Sequence, residues 1–322
     1  MKYKGLIDIH THGIGRYETR AESPEDILNM ARLHARYGTS AILPTIFSDT
    51  IEQMRRNMDA VRKAMRVQGL GFGVWSIEEK NSKFKIQNLK SNSSLITPVK
   101  GRGPNGTLRP HSSLILGIHL EGPFLNPARC GAQNKKSFIK PTGSSLKKLV
   151  SGYEDIIKII TVAPELPGAL KVIEKCVSLG IKVNMGHSDA TYREALKGKK
   201  AGASGISHIF NAMKPFHHRE PGLIGFGLID EDIYIEVIAD NIHISKTVLP
   251  LIFKVKKLDR IILVSDSVKG AKGRKGPIYL KPGVIAGSAI TLSGAVQNII
   301  DIGIPKTIAL ETSIENPKRY LT

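Results

Sequence analysis

Short runs of apolar, often β-branched residues recur along this chain with helical stretches between them, and this alternation restricts the possible fold more than any other feature. Eight runs stand out, at 5–9, 39–43, 114–119, 158–163, 181–185, 205–209, 233–238 and 260–264. Each is apolar on both faces, as expected of strands covered on both sides. Between them, Ser23-Pro24-Glu25-Asp26 offers an N-cap, a proline at the first helical position and a first-turn acid ahead of Ile27, Leu28 and Met30. The stretches 49–65, 166–179, 189–201 and 245–256 have helical spacing too, with Gly180 and Gly202 as stops. Strand–helix alternation implies parallel βαβ units, and eight of them imply an α/β (β/α)8 barrel. An open doubly wound sheet is the alternative, but no Gly-x-Gly-x-x-Gly turn follows the first strand.

The 322 residues suit one large domain, read here as a single barrel spanning 1–322. A polar excursion at about 69–113, rich in Lys, Asn, Ser and Gly, interrupts the pattern between the second helix and the third strand, and its composition is that of a mobile insert. No apolar run is long enough to span a bilayer, the N-terminus lacks the apolar core of a signal peptide, and two cysteines make no disulfide framework, so a cytoplasmic protein is expected. Cys176 lies on an apolar helical face and reads as core; Cys130 has no evident histidine partner and reads as incidental. The net charge of +19 is the unusual total. Its lysines and arginines are scattered in short groups without an aromatic stacking platform, which argues against nucleic acid and for a solvated surface or a field attracting a phosphorylated metabolite.

Six candidate ligands fall at or just past strand ends: His10 and His12 on the first strand, Glu121 on the third, His187 on the fifth, His208 on the sixth and Asp266 on the eighth. In a barrel these ends share one rim, where active sites lie. Any one such histidine is more often a packed or surface residue; six converging groups from five strands are hard to attribute to chance. Imidazoles with a carboxylate suit a divalent ion such as zinc or ferrous iron, which can activate a water, and an aspartate beside it can accept and return a proton.

The chain resembles the N-acetylglucosamine-6-phosphate deacetylases of the amidohydrolase superfamily. The matching stretches include Leu6-Ile-Asp-Ile-His-Thr-His12, Gly117-Ile-His-Leu-Glu-Gly-Pro-Phe124, Gly186-His-Ser-Asp-Ala-Thr-Tyr192, His208-Ile-Phe-Asn-Ala-Met213, His217-His-Arg-Glu-Pro-Gly222, Ile238-Ala-Asp-Asn-Ile-His243, Leu263-Val-Ser-Asp266 and Ala286-Gly-Ser-Ala-Ile290. The resemblance implies a divalent metal, zinc foremost, on Glu121, His187 and His208, with His10 and His12 for a second ion and Asp266 as general base and then acid. It further implies attack of a metal-activated hydroxide on the acetamide, releasing acetate. Ala132, Gln133, Asn211, Ala212, Arg219, Asp240, His243 and the run Ile285, Ala286, Gly287 and Ser288 match positions on the sugar or phosphate side. Arg219 and His243 match positions supplied across a homodimer; the competing reading of Arg219 is an ion pair with Glu220 or another carboxylate.

The chain departs from the family pattern in three places. Gln133 stands where relatives carry a histidine that helps hold the carbonyl oxygen; an amide can donate a neutral hydrogen bond but no charge. The strands of the usual small β-sandwich are not evident at either end, and residues 316–322 resemble the final barrel helix. The 69–113 insert is the third. Two alternatives therefore stay open: the same chemistry on N-acetylgalactosamine-6-phosphate or another amide, and a degenerate barrel that binds metal or polyanions without turnover.

Overall fold

The computed structural model describes residues 3, 5–69, 75–80, 83–88, 112–272, 277–281 and 284–322. The alternation becomes eight β/α units. The barrel strands are β1 (Leu6–Thr11), β2 (Thr39–Phe47), β3 (Ile118–Glu121), β4 (Ile157–Val162), β5 (Lys182–Met185), β6 (Gly205–Ile206), β7 (Tyr234–Ile238) and β8 (Ile261–Val264), each hydrogen-bonded in parallel to the next. The two-residue strand Leu114–Ile115 pairs separately with β2. Backbone bonds from His12 N to Ser267 O (2.8 Å) and from Asp266 N to His10 O (2.9 Å) bring the chain after β8 against β1 and close the rim.

One helix follows each strand: α1 (Pro24–Arg36), α2 (Ile51–Val67), α3 (Gly143–Val150), α4 (Ala169–Ser178), α5 (Tyr192–Lys200), α6 (Gly222–Ile229), α7 (Leu249–Val255) and α8 (Leu292–Asp301). Their starts are local chemistry. Ser23 caps α1 by accepting from Asp26 N, Thr50 caps α2 by accepting from Gln53 N, and Thr191 and Glu194 form a reciprocal capping box on α5. After α4, Gly180 turns left-handed at φ 76°, a conformation that costs glycine little.

Side chains alternate between two clusters. Leu6, Ile42, Ile160, Val237 and Leu263 face the helices, whereas Ile7, Ile9, Leu43, Ile159, Ile238, Ile262 and Val264 form a second, interior cluster. Tyr320, from the C-terminal helix Asn316–Leu321, joins the interior cluster. Its hydroxyl lies 3.3 Å from Ser204 Oγ and its ring centroid 4.9 Å from that of Tyr234, both at strand starts, so this helix covers the end of the barrel opposite the rim.

The sequence reading needs correction at that helix: the last helix of the barrel is α8, and residues 316–322 instead form this cover. The two helices that the periodicity passed over, α3 and α6, are short. Within the insert, Trp75–Lys80 and Lys83–Asn88 pair as an antiparallel ladder; the rest of 70–111, and with it the expectation of a mobile excursion, lies outside the described residues. After β8, Pro277–Lys281 and Val284–Ser288 pair as a further antiparallel ladder. Among the described residues no helix is long and apolar enough to cross a membrane.

Candidate metal centre

Glu121, the last residue of β3, is the hub of the rim. His208 Nε2 lies 2.9 Å and His187 Nε2 3.0 Å from its Oε1, and His12 Nε2 lies 3.3 Å from its Oε2. His10 Nε2 is 3.5 Å from Oε1. Asp266 Oδ1 faces the first-strand pair, 3.4 Å from His12 Nε2 and 3.6 Å from His10 Nε2. All six residues singled out from the sequence therefore meet in one cluster, and Asp266 is the most solvent-accessible of them, at 14% of its side chain.

The backbone is bent to bring them there. His187, His208 and Asp266 all have positive φ (46°, 28° and 45°), a region that costs non-glycine residues energy and is characteristic of functional sites. Gly287 permits a close approach next to Asp266: a Cβ at this position would lie 2.9 Å from Asp266 O and 2.5 Å from Val268 Cγ1.

Hydrogen bonding on the far side of the rings determines what they can offer inward. His187 Nδ1 donates to Arg129 O (2.9 Å) and His12 Nδ1 to Thr45 O (2.9 Å). A carbonyl can only accept, so each Nδ1 carries a proton; a ring with no second proton then turns its Nε2 lone pair toward Glu121. His10 Nδ1 is likewise tied to Glu236 Oε2 at 2.7 Å, and its Nε2 has no hydrogen-bond partner although it is fully buried. Lone pairs pointing at carboxylate oxygens are repulsive unless protons or a cation lie between them. The donor set, imidazole nitrogens and carboxylate oxygens with the outer nitrogens of His10, His12 and His187 engaged, fits a divalent cation. Among the described residues three triads lie close enough to hold one: His10, Glu121 and His208; His10, His12 and Asp266; and, deeper in the barrel, His10, His119 and Glu236.

The electrostatics point the same way. Burial pushes Glu121 up, but the imidazoles, His187 first, hold it well below the usual carboxylate range. Burial opposes charge on His10, yet Glu236 and Glu121 raise its pKa well above the ordinary value; His12 is raised against burial by Asp266 and Glu121. Asp266 is lowered, the hydrogen bond with His12 and the charge of His10 outweighing burial. The carboxylates thus draw positive charge into the cluster, and a bound cation is the other way to supply it.

Gln133 is buried against this cluster. Its amide donates to Glu121 Oε2 (2.5 Å) and accepts from Ser48 N (3.0 Å), which fixes the NH2 toward the site. On the rim, Asp240 Oδ2 accepts from His243 Nδ1 (2.7 Å), while Asn211 Nδ2 donates to the carbonyls of His208 and Ile209. Ala212 O accepts from Ser188 N, the residue after His187. Ala132, Ile285 and Ala286 are half-buried, and Ser288 N donates to Asp266 O. Arg219 is not brought into the cluster: it is exposed beside His218, and Glu220 accepts from the backbone N–H groups of Tyr192 and Gly222 instead. Cys176 is fully buried, its thiol pushed up to about 12, as a core residue.

The sequence reading missed the residues under the cluster: Glu236, Asn184, His119, Thr161 and Ser207 are all buried. The available signal was a polar residue in the middle of an apolar run, as in Tyr234-Ile-Glu-Val-Ile238.

No family model matches the chain. Among curated proteins it is 33% identical over 298 residues to the N-acetylglucosamine-6-phosphate deacetylase of Bacillus subtilis, covering 92% of this chain and 64% of that protein. It is 27% identical over 330 residues to the N-acetylgalactosamine-6-phosphate deacetylase of Escherichia coli O157:H7, covering 98% of this chain and 76% of that one. The chain thus spans roughly two thirds to three quarters of these relatives' length. Among solved structures, the N-acetylglucosamine-6-phosphate deacetylase of Thermotoga maritima superposes with a TM-score of 0.79 at 27% identity, covering 99% of this chain and 78% of that one. In sequence and in fold, this chain is similar to the N-acetylglucosamine-6-phosphate deacetylases.

Proposed function

We propose that the chain is a metal-dependent hydrolase that removes the acetyl group of N-acetylglucosamine-6-phosphate, working as one barrel unit. The observation that carries the proposal is the convergence of four imidazole Nε2 atoms on the carboxylate of Glu121, with Asp266 facing two of them. Glu121, His187 and His208 would hold the principal ion, with His10 and His12 completing a second position against Asp266. Zinc is the ion this donor set favours. Such an ion, when bound, polarises a carbonyl oxygen and brings the pKa of a water toward neutrality.

The protein's own groups then divide the remaining work. Asp266 is ionised, lies at the open side of the cluster and has Oδ1 directed at the ligand nitrogens. It accepts the proton of the attacking water and returns it to the nitrogen as the C–N bond breaks, leaving acetate and an amine. The Gln133 NH2, turned toward the site because Ser48 N occupies its oxygen, would donate a neutral hydrogen bond to the acyl oxygen. Its normal partner in that state would be Glu121, so it serves both the ligand and the acyl group.

Asn211, Ala212, Ala132 and the Ile285–Ser288 segment line the sugar side of the rim. His243 is raised against burial by its bond to Asp240 and by the charge of Asp266, which suits it to an anionic substrate. Arg219, exposed and away from the cluster of its own chain, suits delivery to a partner's phosphate in a homodimer. The relative that acts on N-acetylgalactosamine-6-phosphate supports a second reading, with the same chemistry on the epimeric sugar.

The test is acetate release from both N-acetylhexosamine phosphates by the purified, metal-loaded protein. Turnover of N-acetylglucosamine-6-phosphate, lost on chelation and nearly abolished in Asp266→Asn, is expected. A protein that binds metal stoichiometrically yet is as inert as Asp266→Asn on both sugars contradicts the proposal.

A further inference from the structure

Beneath the ligand cluster, the barrel interior is not uniformly apolar. On β7, Glu236 points inward between Tyr234 and Ile238 and is 2% exposed. Its Oε2 receives His10 Nδ1 at 2.7 Å and, more weakly, His208 N at 3.4 Å. Its Oε1 receives Asn184 Nδ2 at 2.7 Å. The other end of the Asn184 amide, Oδ1, accepts from the hydroxyl of Tyr320, which in turn receives Ser204 Oγ. An unbroken chain of hydrogen bonds therefore runs from a candidate metal ligand through the barrel to the helix covering its far end.

A buried carboxylate is a costly way to fill space, since an apolar side chain of similar volume generally serves stability as well. Here each oxygen meets a donor, and the directions are fully determined. A carboxylate only accepts, so Asn184 must turn its NH2 to Glu236 and its Oδ1 to the Tyr320 hydroxyl, and His10 must keep its Nδ1 proton and turn Nε2 to the cluster. A carboxylate behind a ligating imidazole fixes the ring and strengthens it as a donor.

We propose that Glu236 is a positioning residue for the metal centre, locking His10 into its ligating orientation, and that Asn184 and Tyr320 extend this hold to the C-terminal helix. The inference rests on the metal reading above. A glutamine at 236 cannot reproduce the arrangement: with one acceptor it must turn its NH2 toward either the His10 Nδ1–H or the Asn184 NH2, and two donors then face each other.

The experiment uses metal-stripped full-length chain and measures Zn2+ affinity by competition with a chromophoric chelator, together with the rise in melting temperature that Zn2+ produces. Wild type, His10→Ala, Glu236→Gln and Tyr320→Phe are compared. His10→Ala should remove or weaken one binding step. Glu236→Gln should weaken that same step by about 10–100-fold, and Tyr320→Phe should weaken it by less, with the Zn2+-induced rise in melting temperature shrinking in the same order. A merely structural role would lower the melting temperature of the metal-free chain and leave the Zn2+ affinity of the folded protein intact. Wild-type affinity in both Glu236→Gln and Tyr320→Phe, or in His10→Ala, overturns the proposal; should Glu236→Gln fail to fold, Tyr320→Phe decides alone. A wild type that takes up no Zn2+ sinks the metal reading itself, which is a different failure.

Discussion

The two halves of the ligand cluster are held in different ways. His187 and His208 follow the short strands β5 and β6 in left-handed backbone conformations, and the His187 ring is steered by a loop carbonyl, Arg129 O. His10 and His12 sit on or beside the long strand β1; one is held by a buried carboxylate, Glu236, and the other by Thr45 O from the neighbouring strand β2. The first half depends on loops and strained turns, the second on the barrel wall. Glu121 serves both: its Oε1 faces His187, His208 and His10, and its Oε2 faces His12. The contrast teaches that a loss at one half need not be a loss at the other, whereas a loss at Glu121 is felt by both.

The sharpest way to break this division is Glu121→Ala, which should leave the chain without stoichiometric metal and without measurable acetate release; retention of one ion, by elemental analysis, would mean that the halves are independent sites. Next, Asp266→Asn should keep the metal of the His187–His208 half while the rate falls by about 10²–10⁴-fold, the range typical of a lost acid–base group. Loss of metal and rate together would make Asp266 chiefly a ligand. Gln133→Ala should have a smaller effect, about 10–100-fold on activity or metal affinity, as for other groups that orient a ligand. A change confined to KM would instead place Gln133 on the sugar.

The smallest effect concerns stability rather than catalysis, and belongs to the wall behind β1. His34 is buried and depressed by desolvation to about 3, with Nε2 3.1 Å from Thr11 Oγ1. Its unfolded pKa is the ordinary one near 6.5. The unfolded chain therefore binds the proton more readily between these values, so the contribution is present above about pH 6.5 and is lost as pH falls toward 3. Asp8 works in the opposite sense, raised by burial to about 6: its neutral folded form favours the native state below the unfolded value of 3.8, an advantage lost as pH rises through 6. Denaturant unfolding at successive pH values should show His34→Gln with a shallower acid loss than wild type, by up to about 1.4 kcal/mol per pH unit. Equal slopes would mean that His34 is not buried neutral.

The barrel and its rim were legible in the sequence for a simple reason. Strands buried on both faces are largely apolar, so His10, Glu121, His187, His208 and Asp266 are conspicuous where such runs end. Glu236 and Asn184 were not, because a lone polar residue within a run carries no sign of whether it faces solvent or a buried partner that is distant in sequence. Helix α6, Gly222–Ile229, was missed for the opposite reason. It is buried all round except at its end, so it has no polar face to set a period, and its glycines suggest a loop; Gly227 is there because a Cβ would lie 2.6 Å from Ile206 Cδ1. Tyr320 was assigned to the barrel's last helix since nothing local distinguishes a helix that flanks a barrel from one that covers its end.

The most direct test of the account is a paired measurement on one preparation: divalent metal bound per chain, and acetate released from N-acetylglucosamine-6-phosphate before and after chelation. The account predicts stoichiometric metal and turnover that disappears with the chelator and returns with added Zn2+. Turnover that is indifferent to chelation in protein verified to be metal-free would contradict it.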